Sequence, residues 1–334
     1  MTTIADQILE LLKADPGAEV SSTTICGHCG VTRAAVWKWI ERLRESGYVI
    51  EARSRHGYRL VSSPDTPSQA EVFHALTTKR IGRDFRYREV TGSTNRDAMA
   101  LISQGVPEGT VVVAGEQTSG RGRMTRNWFS PPGKNLYFSL VLRPLVEFSR
   151  AASMPLVVGL AVAEALASLA PELDGEIRIK WPNDILIGEK KICGILCELQ
   201  AEEGNVVAIV PGIGVNVNLT TDEFPEELRP IATALQAEAG HTFSRSAVLA
   251  TILNRLEPLY ETWMHEGLVP LLPAIKRRDA LFGRQLTIDR LGQLTTGTAD
   301  GIQDDGALRL RTTDGIVSIY SGEAHILGVA TAAR

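Results

Sequence analysis

Apolar residues recur at helical spacing from the start of the chain, where Ile4, Ile8, Leu11 and Leu12 mark one buried stripe of a first helix. A short second helix near residues 22–28 ends at Cys29-Gly30, glycine being suited to a helix C-cap. Thr32 N-caps a third helix that runs to Glu45 and turns Val36, Ile40 and Leu43 inward. Ser46-Gly47 stops it, and residues 48–61 alternate as a hairpin around Ser54-Arg55-His56-Gly57. Helix, helix-turn-helix and β-ribbon, in that order, predict a winged helix-turn-helix. The polar run from Ser62 to Ser68, with Pro64 and Pro67 in it, reads as a linker.

Beyond it strands and helices mix. Apolar runs predict strands at residues 111–114, 136–142, 177–181, 192–199 and 206–217, and helices at 94–104, 154–170 and 246–265. Strand runs outnumber crossover helices, which favours an α+β mixed sheet over a strictly alternating doubly wound one. After Phe282-Gly283 the chain changes to short strands, with hairpin turns expected at Asp300-Gly301, Asp305-Gly306 and Asp314-Gly315. That stretch predicts a small barrel-like β module. The expected domains are therefore a winged helix at 1–63, a central catalytic domain at 64–282 and a β-barrel at 283–334.

Composition narrows the class. A chain of 334 residues is too long for one ordinary core and can fold without disulfides or metal. Hydrophobic content of 44% with 22% charged residues excludes a wholly disordered or fibrous protein. The net charge of −4 excludes a polybasic protein but not a local basic surface. No secretory signal is evident at the N-terminus, and the most apolar stretch, residues 154–170, is shorter than a spanning helix and carries Pro155, Gly159 and Glu164. The expectation is a cytoplasmic protein with no membrane partner.

One such local surface lies in the winged helix. Between Val31 and Leu60, Arg33, Lys38, Arg42, Arg44, Arg53, Arg55 and Arg59 face only Glu41, Glu45 and Glu51. Arg33, Ala34, Trp37 and Lys38 lie on the early part of the third helix, where base edges are read, while Arg53 and Arg55 on the wing are placed to meet phosphates. The pattern favours DNA over a hairpin used only for protein contacts. Trp37 either reaches a thymine methyl or is buried. Cys26-Gly27-His28-Cys29 follows no buried strand and has no second ligand pair, so a redox or zinc role is disfavoured and packing is expected. Cys193 and Cys197 are expected on one face of a strand, as core residues.

Four central elements carry chemistry. Gly120-Arg121-Gly122-Arg123-Met124-Thr125-Arg126-Asn127-Trp128 sets cationic side chains in a loop of close backbone approach, suited to a carboxylate or phosphate, but it is not a P-loop. Lys180-Trp181-Pro182-Asn183-Asp184 ends a strand with a point charge on a stiffened turn. Ser93-Thr94-Asn95 opens a helix, either as binding groups or as a simple cap. Gly212-Ile213-Gly214-Val215-Asn216-Val217-Asn218 is a strand whose glycines let a ligand approach.

These elements, in this order and with Lys191-x-x-Gly194-Ile195-Leu196, resemble the biotin–protein ligase family over essentially the whole chain. The N-terminal module makes the chain similar to the bifunctional biotin operon repressor class. The resemblance implies a class II synthetase-like catalytic domain and an SH3-like C-terminal barrel. It implies formation of biotinyl-5′-AMP from biotin and Mg²⁺-ATP, then transfer to a lysine of the biotin carboxyl carrier protein of acetyl-CoA carboxylase. Bringing two anions together is a task for Arg121, Arg123 and Lys180. By family match, Ser93, Thr94, Asn95 and Gln117 bond the ureido end of biotin, and Arg121-Gly122-Arg123 closes over its carboxyl with Lys180. Trp128, Asn183, Lys191 and Asn216 serve the nucleotide, and Asp184 is the candidate magnesium-side carboxylate. The class also implies an adenylate co-repressor, a homodimer formed on adenylate binding through residues 190–196 and the 120s loop, and operator DNA as a partner.

One departure stands out: Met124-Thr125 replaces the family's Arg-Gly, so Thr125→Gly is expected to change adenylate release more than biotin affinity. Two other readings remain at this stage, a lipoate–protein ligase and a biotin-sensing regulator without ligase activity.

Overall fold

The computed structural model describes residues 3–15, 17–53, 56–124 and 126–327. The chain divides into two compact units, one up to Ala75 and the other from Leu76 onward.

In the first unit, α1 (Ile4–Ala14) begins with a capping box, since Thr3 Oγ1 accepts from Asp6 N–H and the Asp6 carboxylate accepts from Thr3 N–H. α2 (Ser22–Cys29) ends at Gly30 in the left-handed region, φ 65°. Thr32 caps α3 (Arg33–Glu45) by accepting from Ala35 N–H at 3.3 Å. β1 (Val49–Arg53) and β2 (Gly57–Ser62) form the antiparallel wing, and α4 (Gln69–Phe73) follows. The core gathers Ile8, Leu9, Leu12, Ile25, Val36, Ile40 and Leu43. Leu9 enters it where the sequence pattern had pointed to Leu11, which packs at the margin. Cys26 and Cys29 also pack at that margin, and burial pushes the Cys29 thiol above its ordinary value, the reverse of an activated redox cysteine.

The second unit is built on a mixed sheet. In chain order its elements are β3 (Phe85–Thr91), α5 (Thr94–Ile102), β4 (Thr110–Gln117), β5 (Leu136–Val141), β6 (Val146–Glu147), α6 (Phe148–Ala151) and α7 (Met154–Leu169). There follow β7 (Ile177–Lys180), β8 (Asp184–Ile187), β9 (Lys190–Glu202) and β10 (Asn205–Val215), then α8 (Leu235–Ala239), α9 (Arg245–Glu266) and α10 (Leu272–Arg277). The order across the sheet is β3-β4-β5-β10-β9-β8-β7, with β6 alongside β10. Among the described strands of this sheet β3 and β4 pair in parallel and the other strand pairs are antiparallel.

Both faces of this sheet are covered, which explains the near-continuous apolar runs. Val210 on β10 packs with Ala98 and Ile102 of α5, whereas Ile195 on β9 approaches Gly159 of α7. Val210 lies opposite Glu198 and Ile213 opposite Ile195, so strand alternation puts these contacts on opposite faces. Residues 148–169 are apolar enough in length and composition to cross a membrane, but 72% of their most apolar 18-residue window is buried, as in a core helix. The edge-pairing expectation for residues 190–196 needs correction. Lys190, Lys191, Cys193 and Gly194 are already paired with β8, Cys193 and Gly194 are paired with β10 on the other side, and Lys191 there bridges Ala232; among the described residues only the stretch of β9 beyond Gly194 lacks a strand on its β8 side.

β11 (Gln285–Arg290), β12 (Gln293–Ile302), β13 (Leu308–Thr312), β14 (Gly315–Ile319) and β15 (Glu323–Ile326) form an antiparallel sheet in the order β14-β13-β12-β11-β15. Asp305-Gly306 lies between β12 and β13, and Asp314-Gly315 joins β13 to β14. Asp300-Gly301 is not a hairpin turn: it lies inside β12 at a register shift between Ala299 and Ile302, with Gly301 at φ 101°. This module is bound to the mixed-sheet domain by Trp181 Nε1–H, which donates to Gly306 O at 3.0 Å, and by the Arg284–Glu189 ion pair.

Candidate functional site

The N-terminus of α5, the 120s loop, the ends of β7 and β8, and the glycine-bearing parts of β9 and β10 surround one cavity of about 270 Å³. Ser93, Thr94, Asn95, Gln117, Arg121, Gly122, Arg123, Trp128, Lys180, Asn183, Asp184, Lys191 and Asn216 all line it. The four sequence elements are thus one site.

At one end lies a polar cluster. Ser93 occupies the N-cap position of α5 and is 2% exposed, yet its hydroxyl makes no capping bond, so it is not a simple cap. Thr94 N–H and Oγ1–H face Gln117 Oε1 at 2.9 and 3.2 Å, and Gln117 Nε2–H donates to Ser130 Oγ at 3.1 Å. Asn95 Nδ2–H donates to Leu196 O at 3.1 Å and Glu198 Oε2 at 2.8 Å, while Ser139 Oγ lies 2.6 Å from Asn95 Oδ1 and 2.8 Å from Thr94 Oγ1. Sequence reasoning missed Ser139 and Glu198. The available signal for Ser139 was a lone hydroxyl inside the apolar run Leu136-Tyr137-Phe138-Ser139-Leu140; for Glu198 there was none.

The glycines of β10 do something other than expected. A Cβ at Gly212 would lie 1.9 Å from Asn95 Oδ1, and one at Gly214 would lie 2.4 Å from Trp128 Nε1. Gly194 and Gly214 are cross-strand partners, and a Cβ at Gly194 would meet the same indole at 2.9 Å. The space these glycines leave is filled by Asn95 and Trp128 rather than kept open for a ligand. Lys191 Nζ sits 5.3 Å from the centre of the Trp128 ring and 2.8 Å from Asp184 Oδ1.

The cations converge from three elements. Arg121 Nη1 pairs with Glu198 Oε1 at 3.0 Å, and Arg123 Nη1–H donates to Asn183 Oδ1 at 3.0 Å. Asn183 Nδ2–H is taken by Ile195 O at 2.9 Å, so its amide orients Arg123. Asn216 is likewise committed, accepting from Asn135 and donating to Thr233 O. Lys180 forms no ion pair among the described residues, and burial pushes its ammonium below the ordinary lysine value against the opposing pull of Asp184. Burial moves Arg123 in the same direction. Cys193 is buried, and burial pushes the half-buried Cys197 thiol up to about 12, consistent with packing roles. Thr125 lies outside the described residues, but its neighbour Met124 takes φ 51°, so a non-glycine residue occupies the left-handed region in this loop.

Among the described residues no cluster of three or more His, Cys, Asp or Glu side chains could hold a metal ion. In the first unit, Arg33, Ala34, Trp37 and Lys38 are exposed on one side of α3, and Trp37 is 56% exposed, which decides against burial. Arg53 is held by Glu19 at 3.1 Å and Glu51 at 3.6 Å. Arg55 lies outside the described residues.

This arrangement defines a class: a winged helix joined to a mixed-sheet domain whose cation-lined cavity suits an anionic ligand. Residues 87–216 match the biotin/lipoate A/B protein ligase family, residues 5–59 the HTH domain family and residues 281–326 the biotin protein ligase C-terminal domain family. The bifunctional ligase/repressor BirA of Bacillus subtilis (strain 168) is 38% identical over 325 residues, covering 97% of this chain and 99% of that protein. The Escherichia coli (strain K12) protein of the same name is 31% identical over 88% of each chain. The Aquifex aeolicus biotin protein ligase, solved with biotin and ATP, superposes with a TM-score of 0.63 at 31% identity, covering 73% of this chain and 98% of that one. The chain belongs to the family of bifunctional biotin protein ligase/repressors.

Proposed function

We propose that the chain is an ATP-dependent biotin–[acetyl-CoA-carboxylase] ligase and a repressor that uses its own adenylate as co-repressor. The observation that carries the enzymatic reading is the pair of half-buried cations, Arg123 and Lys180, facing one cavity with no carboxylate paired to either among the described residues. A partly desolvated cationic pocket is costly without an anion and stabilising with one.

In the first step a biotin carboxylate oxygen attacks the α-phosphorus of ATP and the bond to pyrophosphate breaks. Lys180 and Arg123 offset the negative charge that gathers as two anions meet, and Arg121-Gly122 closes the loop over them. Ser93, Thr94, Asn95 and Gln117 hold the ureido end, Trp128 and Lys191 flank the adenine, and Asn183 acts through Arg123. In the second step the lysine amine of the biotin carboxyl carrier protein attacks the acyl carbon, AMP leaves, and the amine gives up a proton. Orientation and charge carry both steps. Of the carboxylates at the cavity, Asp184 is the one that would share a magnesium ion with the nucleotide phosphates. A single protein carboxylate is a usual complement for that ion, which here would neutralise phosphate charge.

For repression, Arg33, Trp37 and Lys38 face the operator's bases, with Arg53 and Arg55 near its backbone. The dimer pairs through the stretch of β9 beyond Gly194. The test is pyrophosphate–ATP exchange with Mg²⁺, comparing biotin with lipoate, followed by labelling of a carrier domain. Biotin-dependent exchange and labelling are expected. Exchange with lipoate alone would move the assignment to the lipoate branch, and exchange with neither would leave a biotin-sensing regulator.

A further inference from the structure

The 120s loop is tied to the C-terminal sheet by one side-chain pair. Arg126 Nη1–H and Nη2–H donate to Glu323 Oε1 and Oε2 at 2.5 and 2.6 Å, a parallel two-point contact between groups 197 positions apart. The backbone carries that anchorage to the cationic turn. Gly122 N–H donates to Arg126 O at 2.7 Å, Arg126 N–H donates to Arg123 O at 3.2 Å, and Trp128 N–H donates to Gly120 O at 2.9 Å. Where Arg126 goes, Gly122 and Arg123 follow.

The loop has reason to need an anchor. Met124 is 47% exposed and holds φ 51°, a left-handed conformation that is unfavourable for a side-chain-bearing residue. Glu323 is well placed to supply it, because β15 is paired along β11 and the module is docked through Trp181 and Arg284. Glu323, Ala324, His325 and Ile326 also form part of the cavity wall.

We propose that Glu323 is a positioning residue that holds Arg126, and through it the Arg121-Gly122-Arg123 turn, so that docking of the C-terminal sheet sets closure of the anion-binding loop. The catalytic consequence rests on the ligase reading; the mechanical one does not. The variants are Glu323→Gln, Arg126→Gln and the charge swap Arg126→Glu with Glu323→Arg, all in the full chain. Hydrogen exchange of amides 120–128 without ligand should quicken about tenfold in each single variant and return towards wild type in the swap. In biotin-dependent exchange the KM for ATP should rise about tenfold in each single variant, with kcat within about threefold and biotin affinity within about twofold. A tenfold change corresponds to about 1.4 kcal/mol.

Unchanged amide exchange in both single variants would overturn the proposal. So would a lower KM in Glu323→Gln, because that is the result if Glu323 merely withholds Arg126 from phosphate. A swap that leaves KM as high as in Arg126→Gln would overturn it too, by making Arg126 a direct ligand. If wild-type protein shows no biotin-dependent exchange, the ligase reading fails while the amide data still decide the clamp.

Discussion

Gly212→Ala tests how tightly the polar end of the cavity is built. Gly212 is in extended strand backbone, so alanine brings no dihedral penalty, but its methyl would lie 1.9 Å from Asn95 Oδ1. An ordinary carbon–oxygen contact needs about 3.3 Å, so the amide must swing by more than 1 Å. Asn95 has nowhere to go without loss. Its oxygen meets Ser139 Oγ at 2.6 Å, and its nitrogen donates to Leu196 O at 3.1 Å and to the Glu198 carboxylate at 2.8 Å. A neutral bond contributes about 1 kcal/mol and one to a charged partner about 1.5–3, so losing the Ser139 contact and weakening that to Glu198 amounts to about 2–4 kcal/mol. If half of that falls on the bound state, biotin affinity drops roughly 5-fold to 30-fold. Calorimetric titration with biotin reads the affinity, and urea unfolding reads the share that falls on the fold. The double variant Gly212→Ala with Asn95→Ser makes room for the methyl and should lose less than the sum of the singles. A Gly212→Ala protein with wild-type midpoint and biotin affinity within twofold would refute the reasoning.

Three other outcomes follow from the geometry. The Glu257 carboxylate accepts from Lys79, Arg80 and Ile81 N–H at 2.6, 2.7 and 2.9 Å; burial opposes its charge, but these donors outweigh that and hold its pKa below the ordinary value. Its contribution is complete above the unfolded carboxylate pKa and is lost as pH falls through the lower folded value, so Glu257→Gln should cost about 2–4 kcal/mol in urea unfolding at pH 7 and progressively less in acid. Because burial lowers the Lys180 pKa, adenylation should decline on the alkaline side at a pH below that of an exposed lysine, and Lys180→Arg should move that limb upward in a pH profile of pyrophosphate exchange. Trp37→Ala should lower discrimination between selected and random DNA about tenfold without changing the salt slope, whereas Lys38→Ala should reduce the slope by about one; fluorescence titration over salt concentration separates the two.

The elements that the sequence made legible are those whose signals are local. The Thr32 cap, the inward stripe of α3 and the apolar runs of β4, β5 and β10 depend only on neighbours along the chain. β3 went unseen because Phe-Arg-Tyr-Arg-Glu-Val-Thr is an edge strand, largely exposed, and carries polar residues at most positions. β8 is four residues long and follows a proline turn. Asp300-Gly301 has the residues of a turn, but whether such a pair turns the chain or bulges it depends on the register of β13 opposite. At the site, residue types at fixed spacing picked out Arg121, Arg123 and Lys180. Ser139, Glu198 and Glu323 reach it only through long-range pairing, which no local pattern encodes.

Glu198 has a particular consequence for how the two ends of the cavity communicate. One of its oxygens accepts from Asn95, in the polar cluster, and the other pairs with Arg121, on the anion-binding loop. Without ligand, this one carboxylate restrains both. An incoming carboxylate or phosphate competes with Glu198 for Arg121, and because Arg121 is half-exposed that exchange is cheap in either direction. Release of Arg121 leaves Glu198 with Asn95 as its remaining partner, which strengthens the hold on the amide that faces the other end of the ligand. The start of the loop then loses its tie to Glu198, whereas Arg123 keeps its bond to Asn183 and Arg126 its pair with Glu323. On this geometry, loop closure is expected to keep Arg123 on Asn183 and Arg126 on Glu323 and to exchange the partner of Arg121.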